Sequence, residues 1–178
     1  MKNQQFITPI IITAIGVWIG STYINSRLYS SSGAKKLTSQ EFSKNITGLP
    51  EVKNNERGKL KDDDTYSMTA TIVKKNINGK EVKMLAYNGM IPGPLIKVKK
   101  DSEITLNLTN KIDVDTTLHP HGVRLDNKFD GTPDITQKPI KVGQTFAYKI
   151  KFPDVGIYWY HPHIREDYTQ ELGMYGNF

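Results

Sequence analysis

Hydrophobic and polar positions divide the 178-residue chain into three stretches. The first, residues 1–29, is apolar. No charged residue occurs from Asn3 to Ser26, and the run from Phe6 to Gly20 is nearly unbroken and continues to Ile24. That run is about 19 residues, close to the ~20 a bilayer-spanning helix needs and longer than a usual signal core. Lys2 and the terminal amine precede it, and Ser32-Gly33-Ala34 offers a small-x-small cleavage position. The pattern predicts a hydrophobic helix serving as an export signal, or as a membrane anchor if uncleaved. A buried core helix is the alternative, and the position at the N-terminus disfavours it.

The second stretch, residues 30–64, is rich in Ser, Lys, Asn, Gly and Asp. Its apolar residues (Leu37, Phe42, Ile46, Leu49, Val52, Leu60) are too sparse for a core, so it predicts a polar linker or a loosely docked arm. Asn45-Ile46-Thr47 matches a glycosylation triplet that is too common to carry weight, and Asp62-Asp63-Asp64 is expected to be a solvated charge run.

The third stretch, 65–178, has period two. Tyr66, Met68, Ala70 and Ile72 alternate with Ser67, Thr69 and Thr71. Ile104, Leu106 and Leu108 alternate with Thr105, Asn107 and Thr109, and Phe146, Tyr148 and Ile150 with Ala147, Lys149 and Lys151. Asn78-Gly79 is a two-residue hairpin turn between strand-like runs. Asn88-Gly89 and Pro92-Gly93-Pro94 punctuate the chain beyond the second of those runs, and Gly156–His161 reads as a last aromatic strand. No segment after Asp64 keeps helical spacing. Many short strands separated by Gly, Pro and Asn turns predict an all-β sandwich or barrel.

Composition narrows the chemistry. The sequence contains no cysteine, which excludes disulfides, thiolate nucleophiles, Cys-based zinc fingers, iron–sulfur ligation and a Cys-ligated copper from these residues. Lys plus Arg is 24 against 18 Asp plus Glu, a net charge of +6, but the lysines are scattered, which predicts a solvated surface and no nucleic-acid partner. The four histidines are His119, His121, His161 and His163, so all of them fall in two His-x-His pairs. Random placement gives two such pairs on the order of a few times in ten thousand. Side chains two apart on a strand share a face, so each pair aims two imidazoles in one direction. Adjacent strands would bring all four together. Imidazole suits copper, zinc, iron and nickel, with copper held most tightly. The competing readings are satisfied structural histidines and a His-rich zinc site.

The surrounding residues add a resemblance. Leu118-His119-Pro120-His121-Gly122 resembles the His-x-His-Gly motif of the multicopper oxidases, the family of laccases, ferroxidases and bilirubin oxidases. Gly156-Ile157-Tyr158-Trp159-Tyr160-His161-Pro162-His163 is similar to that family's Gly-Thr-Tyr-Trp-Tyr-His-x-His run. Tyr87–Pro94 resembles its Asn-Gly-x-x-Pro-Gly-Pro run, and Asp130-Gly131-Thr132-Pro133 and Thr136–Ile140 lie in family order between the histidine pairs. The likeness covers Thr65 to Phe178. It implies a Greek-key β-sandwich or barrel of cupredoxin type at 65–178, with copper as cofactor. It implies that His119 binds a type 2 copper, that His121, His161 and His163 bind the type 3 pair, and that Asp130 assists proton delivery from just outside the ligands. A turn-forming Asp-Gly is the plainer reading of Asp130.

The remaining readings are structural. Tyr158, Trp159 and Tyr160 are expected in the core rather than in an electron relay. Glu166, Asp167 and Glu171 are expected to be solubilising loop charges in preference to partners of the ligands. Pro120 and Pro162 stiffen the two pairs at non-central strand positions. The family's cluster takes eight histidines, and its other four, with the type 1 copper and its cysteine, belong to a C-terminal domain. The expectation is therefore a truncated, split or partial chain, ending slightly early at an exposed sheet edge. Its partner would be a C-terminal multicopper oxidase half or identical subunits. A non-catalytic exported copper-binding or buffering module is the alternative. A relative of copper nitrite reductase is disfavoured, because that family's type 1 ligands lie in its first domain.

Overall fold

A computed structural model of the chain describes residues 43–178. The expected signal or anchor helix, and the first part of the expected linker, lie outside the described residues.

Among the described residues nine strands occur in order: β1 (Arg57–Leu60), β2 (Thr65–Ile77), β3 (Lys80–Tyr87), β4 (Leu95–Val98), β5 (Glu103–Asn110), β6 (His119–His121), β7 (Thr145–Lys151), β8 (Trp159–His161) and β9 (Gly176–Asn177). A 3-10 turn at Asn127–Phe129 and one short helix, α1 (Glu166–Thr169), interrupt them. Among the described residues no helix is long and apolar enough to cross a membrane. The large sheet has the order β3-β2-β5-β7; β6-β8-β9 form a small antiparallel sheet, and β1 pairs with β4 in parallel.

The alternation read from the sequence decides which side chains face inward. Ile104, Leu106 and Leu108 of β5 and Tyr148 and Ile150 of β7 are buried, and they meet Leu85, Tyr87, Ile96 and Tyr160 in one core. The Asn78-Gly79 turn closes the β2–β3 hairpin, with φ of 51° and 81° and Ile77 opposite Lys80. Positive φ at both central residues gives the turn the twist of the strands it joins.

In β2 the alternation slips: Met68 and Ala70 are buried, but the next buried residue is Val73. The stretch expected to be a linker reaches this strand. Residues 50–53 run beside the outer half of β2, with Val52 N–H donating to Lys74 O and Lys74 N–H to Pro50 O, each at 2.9 Å. Further on, β1 places Gly58 and Leu60 half-buried, and Leu60 packs on the core. The C-terminal part of 30–64 is thus paired to the sheets through its backbone. Hydrogen bonding needs no apolar side chains, so composition does not reveal it.

The ends of the small sheet meet the core as well. Phe178 and Tyr158 exchange backbone hydrogen bonds of 2.8 and 3.0 Å, and the Phe178 ring packs against Phe152 and Tyr160.

Candidate metal centre

Strands β6 and β8 pair antiparallel, with His119 opposite His161, Pro120 opposite Tyr160 and His121 opposite Trp159. Opposed residues share a face. One face of the ribbon therefore carries His119, His121, Trp159 and His161, and the other sends Pro120 and Tyr160 into the core. β6 is an edge strand, where the N–H that Pro120 lacks is not needed.

Ring nitrogens of His119, His121 and His161 all lie within 4.8 Å of one another. Nδ1 of His121 faces Nε2 of His161 at 3.3 Å. Bonds of about 2.0 Å from both nitrogens to one ion would meet at about 110°, an ordinary angle for a metal held by imidazoles. His163 stands past the end of β8. Its ring centre is 4.6 Å from that of His119 and 4.8 Å from that of His161, although it is not part of the three-nitrogen set.

Each of three imidazoles is held from behind. His119 Nδ1–H donates to the Asp130 backbone carbonyl at 2.6 Å, which leaves Nε2 as the free donor nitrogen. The Asp130 carboxylate lies 3.4 Å from the same Nδ1 and accepts the Thr132 hydroxyl at 2.6 Å. Asp130 makes the turn with Gly131, at φ 83°, and it sets a carboxylate behind a ligand. His161 Nδ1–H donates to Pro162 O at 3.0 Å, and the ring stacks on Trp159 with centroids 3.8 Å apart. His163 takes its place from Thr117, whose buried hydroxyl accepts the His163 N–H at 3.2 Å, and from Glu166, whose carboxylate accepts from Nδ1 at 2.5 Å.

Burial lowers the His161 pKa to about 4, and the neighbouring His163, His119 and His121 imidazoles push in the same direction against the Pro162 hydrogen bond. His161 is therefore neutral near pH 7, the form in which imidazole donates to a metal.

The approach to His119 is fixed from the large sheet. Thr116 pairs with Ile140, and Leu118 N–H donates to the Tyr148 hydroxyl at 2.8 Å. Tyr160 anchors β8 by donating to Pro94 O at 2.7 Å. A Cβ at Gly93 or Gly176 would sit 2.7 or 2.2 Å from that hydroxyl, so both positions require glycine.

The sequence model of the multicopper oxidase family matches residues 69–178. The chain belongs to the multicopper oxidase family. It is 36% identical over 101 residues to Copper resistance protein A of Pseudomonas syringae pv. tomato, covering 57% of this chain and 16% of that protein. It is 38% identical over 100 residues to Multicopper oxidase MmcO of Mycobacterium tuberculosis, covering 56% and 20%. Among solved structures, the Blue Copper Oxidase from Nitrosomonas europaea superposes with a TM-score of 0.63 at 32% identity, over 65% of this chain and 38% of that one. The chain thus spans between 16% and 20% of the length of such curated relatives.

As in that family, the architecture is a cupredoxin-like β-sandwich and the cofactor is copper. The converging imidazoles suit it. Three of the residues that hold the histidine cluster in place are not evident as such from the sequence. Thr117 reads as one more strand threonine, Gly131 as an ordinary turn glycine, and Glu166 as a surface charge. For Glu166 a signal exists: it comes three residues after His163, a spacing that brings side chains together on a helical turn.

Proposed function

We propose that residues 65–178 are the N-terminal copper-binding domain of an exported multicopper oxidase and contribute half the ligands of its type 2 and type 3 copper sites. The observation that carries this reading is the convergence of the His119, His121 and His161 nitrogens within 4.8 Å at the paired ends of β6 and β8. His119 is assigned to the type 2 copper, and His121, His161 and His163 to the type 3 pair. Bound copper supplies the one-electron steps that together reduce O2 to water as substrate is oxidised. The chain's own part is to hold the imidazoles in fixed directions. It also keeps the Asp130 carboxylate behind His119, where it offsets positive charge and can pass protons.

The 178 residues hold four histidines and no cysteine. The other histidine ligands then come from polypeptide beyond these residues, or from a C-terminal half or identical subunits as partners, and the cysteine-ligated type 1 copper comes from polypeptide other than these residues. The uncharged apolar run from Asn3 to Ser26 supports export, with the domain outside the cytoplasm and a membrane attachment if the segment is retained.

Copper per chain, measured by mass spectrometry, tests the reading. The chain alone is compared with the chain mixed with the downstream-encoded polypeptide that carries a His-Cys-His run. Additional copper and O2 consumption with an electron donor are expected, and no gain in either overturns it. A second reading, an exported copper-binding module without oxidase activity, is favoured by the same three nitrogens, since they can hold one ion unaided. Tight one-to-one copper binding by the chain, unchanged on mixing, would select that reading.

A further inference from the structure

We propose that Glu166 is the positioning residue for His163: its carboxylate holds the imidazole as the Nδ1–H tautomer and leaves Nε2 as the nitrogen that receives copper. Two independent contacts define the place of His163. Its backbone N–H is fixed to Thr117 Oγ1 at 3.2 Å, and its ring to Glu166 Oε1 at 2.5 Å. The first ties the loop after β8 to the residues just before His119. The second chooses which ring nitrogen keeps its proton. An imidazole without such a partner divides between two tautomers, and only one of them offers a lone pair at Nε2.

The chain turns sharply to bring Glu166 back to a residue three positions earlier. Arg165 adopts the left-handed conformation, φ 49° and ψ 55°, and its guanidinium grips Asp167 with contacts of 2.9 and 2.7 Å. Thr169 Oγ1 bonds the Ile164 and Arg165 carbonyls at 2.8 and 3.0 Å, closing the same turn from its far side. Asp167 is thus engaged by Arg165, and Glu166 is the carboxylate of this turn that reaches the histidine. His119 and His161 direct Nδ1–H to backbone carbonyls. His163 uses a charged acceptor instead, which sets a carboxylate directly behind the ring.

The metal-dependent arm of the test rests on the copper-binding reading; the tautomer arm needs no metal. Long-range 1H–15N NMR of the metal-free chain reads the protonated nitrogen of His163, and competition titration at pH 7 reads copper affinity. In Glu166→Ala, the His163 Nδ1–H form should give way to a mixture, and copper affinity should fall roughly 10–100-fold. Glu166→Gln keeps a carbonyl acceptor on an isosteric side chain and should retain the tautomer and recover most of the affinity. Glu171→Gln removes the same charge nearby and should leave both readouts within about twofold of wild type. An unchanged Nδ1–H tautomer in Glu166→Ala, together with an affinity within about threefold of wild type, overturns the proposal. Failure of wild type to bind copper would sink the functional reading, while the tautomer shift would still decide the role of Glu166.

Discussion

Replacing Gly131 by alanine should damage the metal centre through the backbone, by an amount that a second glycine calibrates. Gly131 and Gly143 have nearly the same left-handed φ, 83° and 84°. An alanine at either position costs about 1–2 kcal/mol for that conformation alone. At Gly143 a Cβ meets nothing within 4 Å. At Gly131 it would lie 2.1 Å from Leu118 O, 2.6 Å from Leu118 C and 2.9 Å from His119 N. Relieving that overlap needs a shift of about 1 Å in the Leu118–His119 peptide, and forced displacement of packed backbone costs roughly 1–3 kcal/mol more. The shift also pulls His119 Nδ1 from the Asp130 carbonyl and Leu118 N–H from Tyr148, and each half-buried bond broken adds about 1 kcal/mol. Urea denaturation of the metal-free proteins, followed by circular dichroism, should give about 1–2 kcal/mol for Gly143→Ala and about 4–7 kcal/mol for Gly131→Ala. Copper affinity should fall only in the latter. Equal destabilisation of the two variants, with equal copper affinity, would refute the idea that the Asp130–Gly131 turn supports His119.

The same geometry sets other outcomes. His121→Ala removes an exposed imidazole, so stability should change by no more than about 0.5 kcal/mol while copper binding in a competition titration falls at least tenfold. Two tyrosines should respond in opposite ways to loss of the hydroxyl: Tyr160→Phe strands the Pro94 carbonyl and should cost about 1–2 kcal/mol, whereas the buried Tyr87 hydroxyl has no partner among the described residues and Tyr87→Phe should be neutral or stabilising by up to about 1 kcal/mol in the same assay. Lys83→Met should cost about 3 kcal/mol, because the Asp113 carboxylate would keep only the Tyr168 hydroxyl of its two buried partners. The folded His161 pKa, about 4, lies below its unfolded value near 6.5, so the unfolded chain binds the extra proton first. Metal-free stability should therefore be at its full value above about pH 6.5 and decline by up to about 3 kcal/mol towards pH 4, and a pH series of denaturation curves with no such decline, or the same decline in His161→Phe, would contradict it.

The parts of this site that repeat with the period of a strand are legible in the sequence, and the parts that depend on a turn are not. Alternation at Ile104, Leu106 and Leu108 gives their burial directly, and the His119-x-His121 spacing places two imidazoles on one face of a strand paired with that of His161. His163 escapes the strand argument because β8 stops at His161. Past that point the direction of a side chain depends on the left-handed Arg165, a conformation that nothing in the residue's type announces. Residues 50–60 read as a tether or loosely docked arm because their apolar side chains are sparse. Their contribution is a row of backbone hydrogen bonds and one half-buried leucine, which composition does not record.

Several motifs that accompany the histidines serve packing, and packing makes them inseparable from the site. Trp159, Tyr160 and His161 alternate across one short strand, so the ligand face cannot be placed without placing the opposite face. There Tyr160 is fully buried, its ring 5.5 Å from Tyr87 and its hydroxyl on Pro94, in a space that exists because Gly93 and Gly176 carry no Cβ. A displaced Tyr160 would rotate β8 and move His161 relative to its opposite residue His119. The Pro-Gly-Pro run, which contains no ligand, therefore sets the angle at which a ligand is presented. The Asp-Gly turn does the same for His119 through a backbone carbonyl. The rigidity that copper chemistry needs is supplied on the side of the ribbon facing away from the metal. Substitutions at Gly93 or Gly176 should consequently alter copper binding as well as stability, although neither residue lies on the ligand face.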